Sequence, residues 1–321
     1  MATKTLNDYH TLVELAKRTD PNGNSAELIN ILAERNPMLE EAHWERANDL
    51  NSHEFTQVIE LPKGEFGRIN KGIAYSAGRT KQVVEPICEI AEAYCVDDRL
   101  LKKAPSPQEY LAQEAALHVE GMGQTAHATL LYGNRGTNPD AINGFMTRYN
   151  SLSMTDSVTN NGGSGADVAS ILVVNWGRDS AYLAYPREFG DFLVEKGPSD
   201  QWIQPAAGTG YWGKVITWSI NMGLCIANPK NVQRICNIET TGSSNIFSDD
   251  KLITALNKMD KTDNAVIYVN KAIYTQMQIA FKNRANVNFT MQEAWGRPIM
   301  HFMGIPVKKC DQMLSTETAL S

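Results

Sequence analysis

The 321 residues are 42% hydrophobic, enough for one large domain or two ordinary ones. Lys and Arg total 30 against 36 Asp and Glu, a net charge of −6, which argues against holding nucleic acid by phosphate neutralisation. There is no basic-then-apolar leader and no apolar run of about 18 residues, so the chain reads as a soluble protein made in the cytosol, with no membrane segment.

The first 50 residues read as helices interrupted by turns. Asp20-Pro21-Asn22-Gly23 is a turn signature, and Asn24 with Glu27 makes a capping box for a helix carrying Leu28, Ile31, Leu32 and Arg35. Pro37 suits the first turn of another short helix, reaching Trp44. Residues 1–52 hold five basic and nine acidic side chains, so this is not a basic nucleic-acid arm.

Extended segments at 55–61 and 83–96 flank a middle with Gly64, Gly67, Gly72 and Gly78, the pattern of a long β-hairpin. Between residues 60 and 81 stand Lys63, Arg68, Lys71, Arg79 and Lys81 against only Glu60 and Glu65. A basic-tipped hairpin with few large apolar residues buries little of itself. It is either a solvent loop or a segment that lies on another subunit.

Ser106 or Pro107 begins the longest helix and Gly133 ends it. Leu111, Ala115, Val119, Met122, Ala126 and Leu130 form one apolar stripe along about 40 Å of helix. Gly121 and Gly123 each cost about 1 kcal/mol in propensity and are expected to permit close packing or a bend. A loop region spans 134–165. Segments 171–176 and 181–185 read as a hairpin across Gly177-Arg178-Asp179-Ser180. Ile216, Trp218, Ile220 and Met222 alternate with polar residues, as in a half-buried strand. Segments 224–227 and 232–238 read as a further pair across Asn228-Pro229-Lys230-Asn231. A helix is expected at 249–259, a strand at 265–269, and a helix at 270–284 with Ile273, Met277 and Phe281 on one face. Residues 297–311 read as a strand, a turn and a second extended segment. The fold class is α+β, without a βαβ series and without an internal repeat.

Motifs that could carry chemistry lack their structural context. Gly208-x-Gly210-x-x-Gly213 matches a dinucleotide fingerprint, but a strand follows it where a helix N-terminus is needed, so the glycines read as a flexible loop. Gly162-Gly163-Ser164-Gly165-Ala166 has Ala in place of the last Gly of a nucleophile elbow. His118-x-Glu120 is not followed by Pro-Cys-x-x-Cys, and His118 and His127 stand nine apart. Asp97-Asp98 and Asp249-Asp250 read as helix-start residues. Cys88, Cys95, Cys225, Cys236 and Cys310 are odd in number and lack CxxC spacing, so they read as small buried apolar residues. The chain is expected to be no enzyme and to need no cofactor or metal.

A different pattern accounts for the whole length. A short helical arm, a basic-tipped hairpin, one long helix, a mixed β region and a terminal Phe-x-Gly-Ile-Pro-Val run resemble the Hong Kong 97 capsid fold. More closely, the chain resembles the major capsid proteins of short-tailed phages of the epsilon-fifteen kind. The pieces that carry this include Asp20-Pro21-Asn22-Gly23, Asn36-Pro37-Met38-Leu39 with Trp44 and Asn48, and Leu61-Pro62. Arg68-Ile69-Asn70-Lys71-Gly72, Tyr132-Gly133-Asn134, Arg148-Tyr149-Asn150-Ser151-Leu152-Ser153, Trp176-Gly177 and Gly304-Ile305-Pro306-Val307 complete the order along the chain. Phe66-Gly67 departs from it, standing where an aromatic would directly precede the Arg.

The resemblance implies an N-terminal arm at 1–52 and an extended loop at 53–97. It implies a peripheral domain at 98–245, with a spine helix at 106–133 and a β region part of which can belong to the next domain. An axial domain and C-terminal segment would span 246–321. It further implies a structural protein that self-assembles through hexamers and pentamers into an icosahedral virion shell around double-stranded DNA, assembled in the bacterial host cytoplasm. Lys63, Arg68, Lys71, Arg79 and Lys81 would be inter-subunit contacts. A separate scaffolding protein is expected, because only about 50 residues precede the hairpin. A portal and a decoration protein are further expected partners, and packaged DNA would be touched non-specifically. The Lys, Asn and Glu of an isopeptide cross-link are not recognisable, so none is expected. The alternatives are an encapsulin-like compartment subunit of the same fold and, from another class, a soluble metabolic enzyme.

Overall fold

The structure, a computed structural model, describes Leu12, Leu15, Glu34 and residues 36–70, 72–188, 193–206, 208–283, 289–294 and 297–321. The turn and capping box expected at 20–27, and the helix expected through Leu28, Ile31, Leu32 and Arg35, lie outside these residues, as does Lys71.

Three sheets organise the described residues. A seven-stranded sheet runs in the order β12 (Phe289–Ala294), β13 (Arg297–Phe302), β14 (Ile305–Lys309), β11 (Ala265–Val269), β6 (Val168–Asn175), β10 (Val232–Glu239), β5 (Val158–Asn160). A five-stranded sheet has β1 (Trp44–Arg46), β7 (Ala181–Tyr185), β9 (Thr209–Ile226) and β4 (Cys88–Asp97) in order, with β8 (Leu193–Ala206) also paired to β9. The third sheet is a two-stranded hairpin of β2 (Ser52–Glu60) and β3 (Arg79–Pro86). The helices are α1 (Met38–Glu41), α2 (Asp98–Leu101), α3 (Pro107–Tyr132), α4 (Phe145–Arg148), α5 (Asp249–Asn257) and α6 (Lys271–Asn283).

Every residue of β6 is buried. Its alternate side chains enter two different cores, as the period of two requires. Leu172 and Val174 join the core that holds Met122, Ala126 and Leu130 of α3 and Trp218 and Met222 of β9. Ile171 and Val173 join the core beneath Leu252 and Ala255 of α5 and Ile273 and Met277 of α6. The strand β11 divides in the same way, with Val266 and Tyr268 on one side and Ile267 and Val269 on the other. The seven-stranded sheet is therefore the middle layer between these two cores.

Local signals behave as the sequence dictates at several ends. The Ser106 hydroxyl caps α3, accepting from the Glu109 N–H at 3.4 Å. Asp97 caps α2 through the Arg99 N–H at 2.7 Å, and Asp249 and Asp250 occupy the first turn of α5. The Asn270 side chain accepts from Ile273 N–H at the start of α6. Met303 and Gly304 both have positive φ, 49° and 82°, giving the tight turn between β13 and β14. The cysteines are free and, except for the half-buried Cys95, buried. Burial pushes the thiols of Cys88 and Cys310 up to about 11 and that of Cys225 up to about 12.

Several expectations are corrected. The helix after Pro37 ends at Glu41; Ala42 turns extended, and Trp44 begins a strand parallel to β7. Segment 83–96 is not one hairpin arm. The chain leaves the hairpin after Pro86, and β4 pairs with β9 instead. Segments 171–176 and 181–185 form no hairpin ladder, only an isolated bridge between Trp176 and Ala181, and 224–227 and 232–238 do not pair. In each case the intervening turn carries the chain from one sheet to another. Turn chemistry at 177–180 and 228–231 fixes a reversal, not the partner across it. The apolar stripe on α3 is buried at Met122, Ala126 and Leu130 but exposed at Val119. A Cβ at Gly121 or Gly123 would meet nothing within 4 Å, so neither glycine permits close packing.

The glycines of 208–213 lie in a strand and its turn, not a loose loop. Strand β8, missed in the sequence because Gly197, Pro198 and Pro205 break its pattern, forms a long hairpin with β9. Trp202 faces Trp212 across that hairpin with ring centroids 5.7 Å apart. A Cβ on Gly210 would lie 2.5 Å from the Trp202 indole, so only glycine lets this ring lie against the opposite strand.

The C-terminal segment is latched into the body by a buried ion pair. Arg234 on β10 donates to Glu317 Oε2 at 2.8 Å, and both side chains are almost wholly buried. The same guanidinium donates to Ser170 Oγ and to the carbonyls of Met146 and Tyr149. The Tyr132 hydroxyl, at the end of α3, donates to Glu317 Oε1 at 2.7 Å. Asn237 and Leu320 exchange two further hydrogen bonds. Removing one partner of such a pair strands a buried charge, which costs about 3–5 kcal/mol. Glu317→Ala is expected to lower the unfolding free energy by that order in chemical denaturation of the subunit. Glu317→Ala with Arg234→Met is expected to lose less than Glu317→Ala alone; equal or greater loss in the double variant would contradict the latch.

Candidate assembly surface

The hairpin β2–β3 is fastened to the body only near its root. His53 meets Tyr182 edge-on at 5.6 Å between ring centroids, and Phe55 lies 6.2 Å from the same ring. Gln57 donates its amide to the carbonyls of Ile226 and Ala227 at 3.0 and 2.9 Å. Glu85 on β3 receives both terminal nitrogens of Arg148, at 2.7 and 2.6 Å, and Arg148 also donates to Leu224 O. This forked pairing fixes orientation as well as distance. Sequence reading did not single out Glu85 and Arg148. Their signal is a Glu in an otherwise solvent-facing strand, with its partner far away in the chain.

Beyond the root the segment projects into solvent. Residues 61–78 form no regular structure among the described residues. Phe66 and Tyr75 are each 105% exposed and Ile69 95%, with Leu61 and Ile73 also exposed. The expectation of few large apolar residues here is thus corrected: they are present, spaced among glycines, and uncovered. Burying one such side chain is worth roughly 1.5–3 kcal/mol. Several large apolar side chains left uncovered on one short segment make it a candidate interaction surface.

Lys63, Arg68, Arg79 and Lys81 are all exposed on the same segment. Arg79 lies 3.5 Å from Glu60 across the hairpin. That pair is solvent-exposed and worth at most about 1 kcal/mol, so it leaves the cation available to another partner.

A groove of about 780 Å³ runs between α3, residues 36–40, α6 and β14. At its floor His127 Nδ1–H donates to Gly123 O at 2.7 Å, which leaves Nε2 to accept the Leu39 N–H at 3.4 Å. Burial lowers the His127 pKa below its ordinary 6.5, against the opposing pull of Glu40 and Glu120. His53 is lowered too, by burial first, with Glu45 opposing and Arg178 adding to the shift.

Residues suspected of chemistry serve packing. His118 stacks on Tyr94 at 4.7 Å and bonds Glu92 at 2.7 Å. Gly163 and Gly165 belong to the turn that receives the C-terminal segment, with Ala319 N–H donating to Gly165 O. Among the described residues no three His, Cys, Asp or Glu side chains are placed to hold a metal, and no helix is long and apolar enough to cross a membrane.

The described residues thus form a body around the two large cores, with a projecting hairpin loop and a latched tail. Its likeness to solved structures gives the fold. The chain superposes on the structure of bacteriophage Epsilon15 with a TM-score of 0.76 at 24% identity, over 97% of each chain. It is also similar to the capsid of a native GTA particle (TM-score 0.48, 11% identity, 68% of this chain and 95% of that one). An encapsulin from Synechococcus elongatus PCC 7942 gives 0.47 at 12% identity, over 74% and 99%. No curated protein matches. The fold is the mixed α+β fold of Hong Kong 97-like phage capsid subunits.

The family described as major capsid protein GP7 matches residues 20–321. The chain belongs to that family: it is a structural subunit of a phage capsid shell, self-assembling and located in the virion.

Both shifted histidines favour the neutral form in the folded subunit. Their stabilising contribution is whole above the unfolded pKa near 6.5 and is lost as pH falls through the depressed folded-state values. The urea midpoint of the soluble subunit is expected to drop between about pH 7 and pH 5, and to drop less in the His53→Phe variant. A midpoint equally pH-dependent in that variant would show that His53 does not contribute.

Proposed function

We propose that the segment 53–97 is the principal contact arm between shell subunits, and that Lys63, Arg68, Lys71, Arg79 and Lys81 meet acidic surface on a neighbour. The observation that carries this is the near-complete exposure of Phe66, Ile69 and Tyr75 beside Arg68 on a loop tethered at one end. A net charge of −6 for the whole chain makes an acidic receiving surface abundant.

In this reading residues 1–52 are a second arm, 98–245 the peripheral domain around the spine helix α3, and 246–321 the axial domain. Hydrogen bonding of β5, β6 and β10 into one sheet with β11 and β14 favours counting 158–175 and 232–239 with the axial body. Subunits gather as hexamers and pentamers of an icosahedral shell in the host cytoplasm. A separate scaffolding protein, a portal and a decoration protein are the expected partners. Packaged double-stranded DNA is touched only non-specifically, because an acidic subunit repels phosphate. Exposed loops on neighbouring subunits bury enough area only collectively; stable interfaces usually need about 1,200 Å² or more.

The test is electron microscopy after size-exclusion chromatography of the expressed chain, with and without its candidate scaffold. Shells, tubes, or rings of five or six subunits are expected. Arg68→Glu with Lys71→Glu is expected to abolish them while the subunit stays folded by circular dichroism. Unchanged particles from that variant would overturn the contact role. Deleting residues 1–20 is expected to weaken assembly more than folding, and loss of soluble folded subunit would contradict this.

A further inference from the structure

In the single chain, residues 61–70 and 72–78 are exposed at every position and lie outside any helix or strand. Leu61, Phe66, Ile69, Ile73 and Tyr75 are the large apolar side chains among them, with Phe66 and Tyr75 wholly uncovered. Lys63, Arg68, Lys71, Arg79 and Lys81 stand between and beyond them, and Glu65 is the one carboxylate from residue 61 to residue 81. No proline follows Pro62 within that span, so each backbone N–H from Lys63 onward can donate to a partner. A Cβ on Gly64 or Gly72 would meet nothing within 4 Å, so the main chain there is open to approach.

These properties describe the partner that would fit. Extended segments are recognised by channels that bond the main chain and take alternate side chains into apolar pockets. Ile69, Ile73 and Tyr75 fall on one face of an extended chain, because their spacing is even. Residues 66–75 reach up to about 33 Å when extended, enough to thread a clamp that holds only a few residues. An acidic rim on the channel would complement the cations of this segment and be repelled by the rest of the chain, whose charge is net negative. Apolar pockets, an acidic rim and a strand-shaped channel together make the peptide clamp of ATP-driven heat-shock chaperones. A lipid surface also takes apolar side chains with cations. Interfacial segments, however, gather their apolar residues on one face of a helix, and this segment is not helical. Uncovered apolar chain is an aggregation hazard while a subunit awaits assembly, and a clamp of this kind would remove it.

We propose that the free subunit is held through residues 61–78 by a host chaperone of this clamp type before assembly, with Ile69, Ile73 and Tyr75 in the apolar channel and the flanking cations against an acidic rim. The inference rests on the exposure of the segment in the single chain, not on where it lies within the shell.

The test uses the full chain as free subunit and, as the probe, a purified bacterial heat-shock chaperone of this type in its ADP-bound form. Saturable binding that ATP reverses is expected, read by fluorescence anisotropy of labelled subunit. Hydrogen–deuterium exchange on the complex is expected to show protection across 61–78. Ile69→Ser with Tyr75→Ser is expected to weaken binding by about tenfold or more. Both side chains are exposed, so the circular dichroism of that variant is expected to be unchanged. Equally tight binding by the variant, protection confined to other residues such as 1–33, or no ATP-reversible binding at all would overturn the proposal. Capture on vesicles of anionic phospholipid, lost in the same variant and without chaperone binding, would overturn it in favour of a lipid surface. The contact-arm reading is tested separately, by particle formation, and stands or falls on that result alone.

Discussion

The subunit depends on one buried charge pair at the junction of its parts. Arg234 comes from the seven-stranded sheet, Glu317 from the C-terminal segment and Tyr132 from the end of the long helix, and the three meet out of water. The Ser170 hydroxyl and the carbonyls of Met146 and Tyr149 complete the guanidinium's partners. Burying two charges is costly unless every donor and acceptor is matched, and here the groups come from five separated stretches of chain. The pair therefore specifies how helix, sheet and tail sit together. A hydrophobic substitute of equal volume would fill the space without dictating that arrangement.

With the body so fixed, the sheet layers decide where apolar surface ends up. Strand β6 feeds two cores through alternate residues, so most large apolar side chains of the body are covered within it. Apolar residues of 61–78 have no place in either. They are carried outward on a hairpin whose root is fastened by Gln57, by His53 and Phe55 on Tyr182, and by the Glu85–Arg148 fork. In the proposed reading, attachment at the tip is transmitted to the body through this fastened root and so sets the angle between subunits.

Much of this was legible in the sequence, for stated reasons. The capping Ser106, the 3.6-residue stripe ending at Leu130, the alternation at Ile216 to Met222, and Met303-Gly304 before Ile305-Pro306 are local signals, and local signals were read well. What failed was partnership between distant strands. Two good turn sequences suggested two hairpins, whereas 168–175 and 181–185 lie in different sheets. Nothing within four residues of a turn encodes which edge a strand will find. Strand β8 was invisible because Gly197, Pro198 and Pro205 spoil its pattern, and its pairing to β9 is sustained by the neighbour. The Arg234–Glu317 and Arg148–Glu85 pairs were unreadable for the same reason, since 83 and 63 residues separate their members. The basic residues of the loop are evident as a run of charge, whereas Phe66, Ile69 and Tyr75, spaced between glycines, show no period.

In the proposed reading the described residues of 61–78, all exposed in the isolated subunit, become covered on assembly. Hydrogen–deuterium exchange, read on free subunits and on assembled particles of the same protein, measures this directly. The account predicts rapid exchange across 61–78 in the subunit and marked protection in particles, with the root at 52–57 protected in both. Protection of 61–78 already present in the free subunit, or absent from the particles, would contradict it.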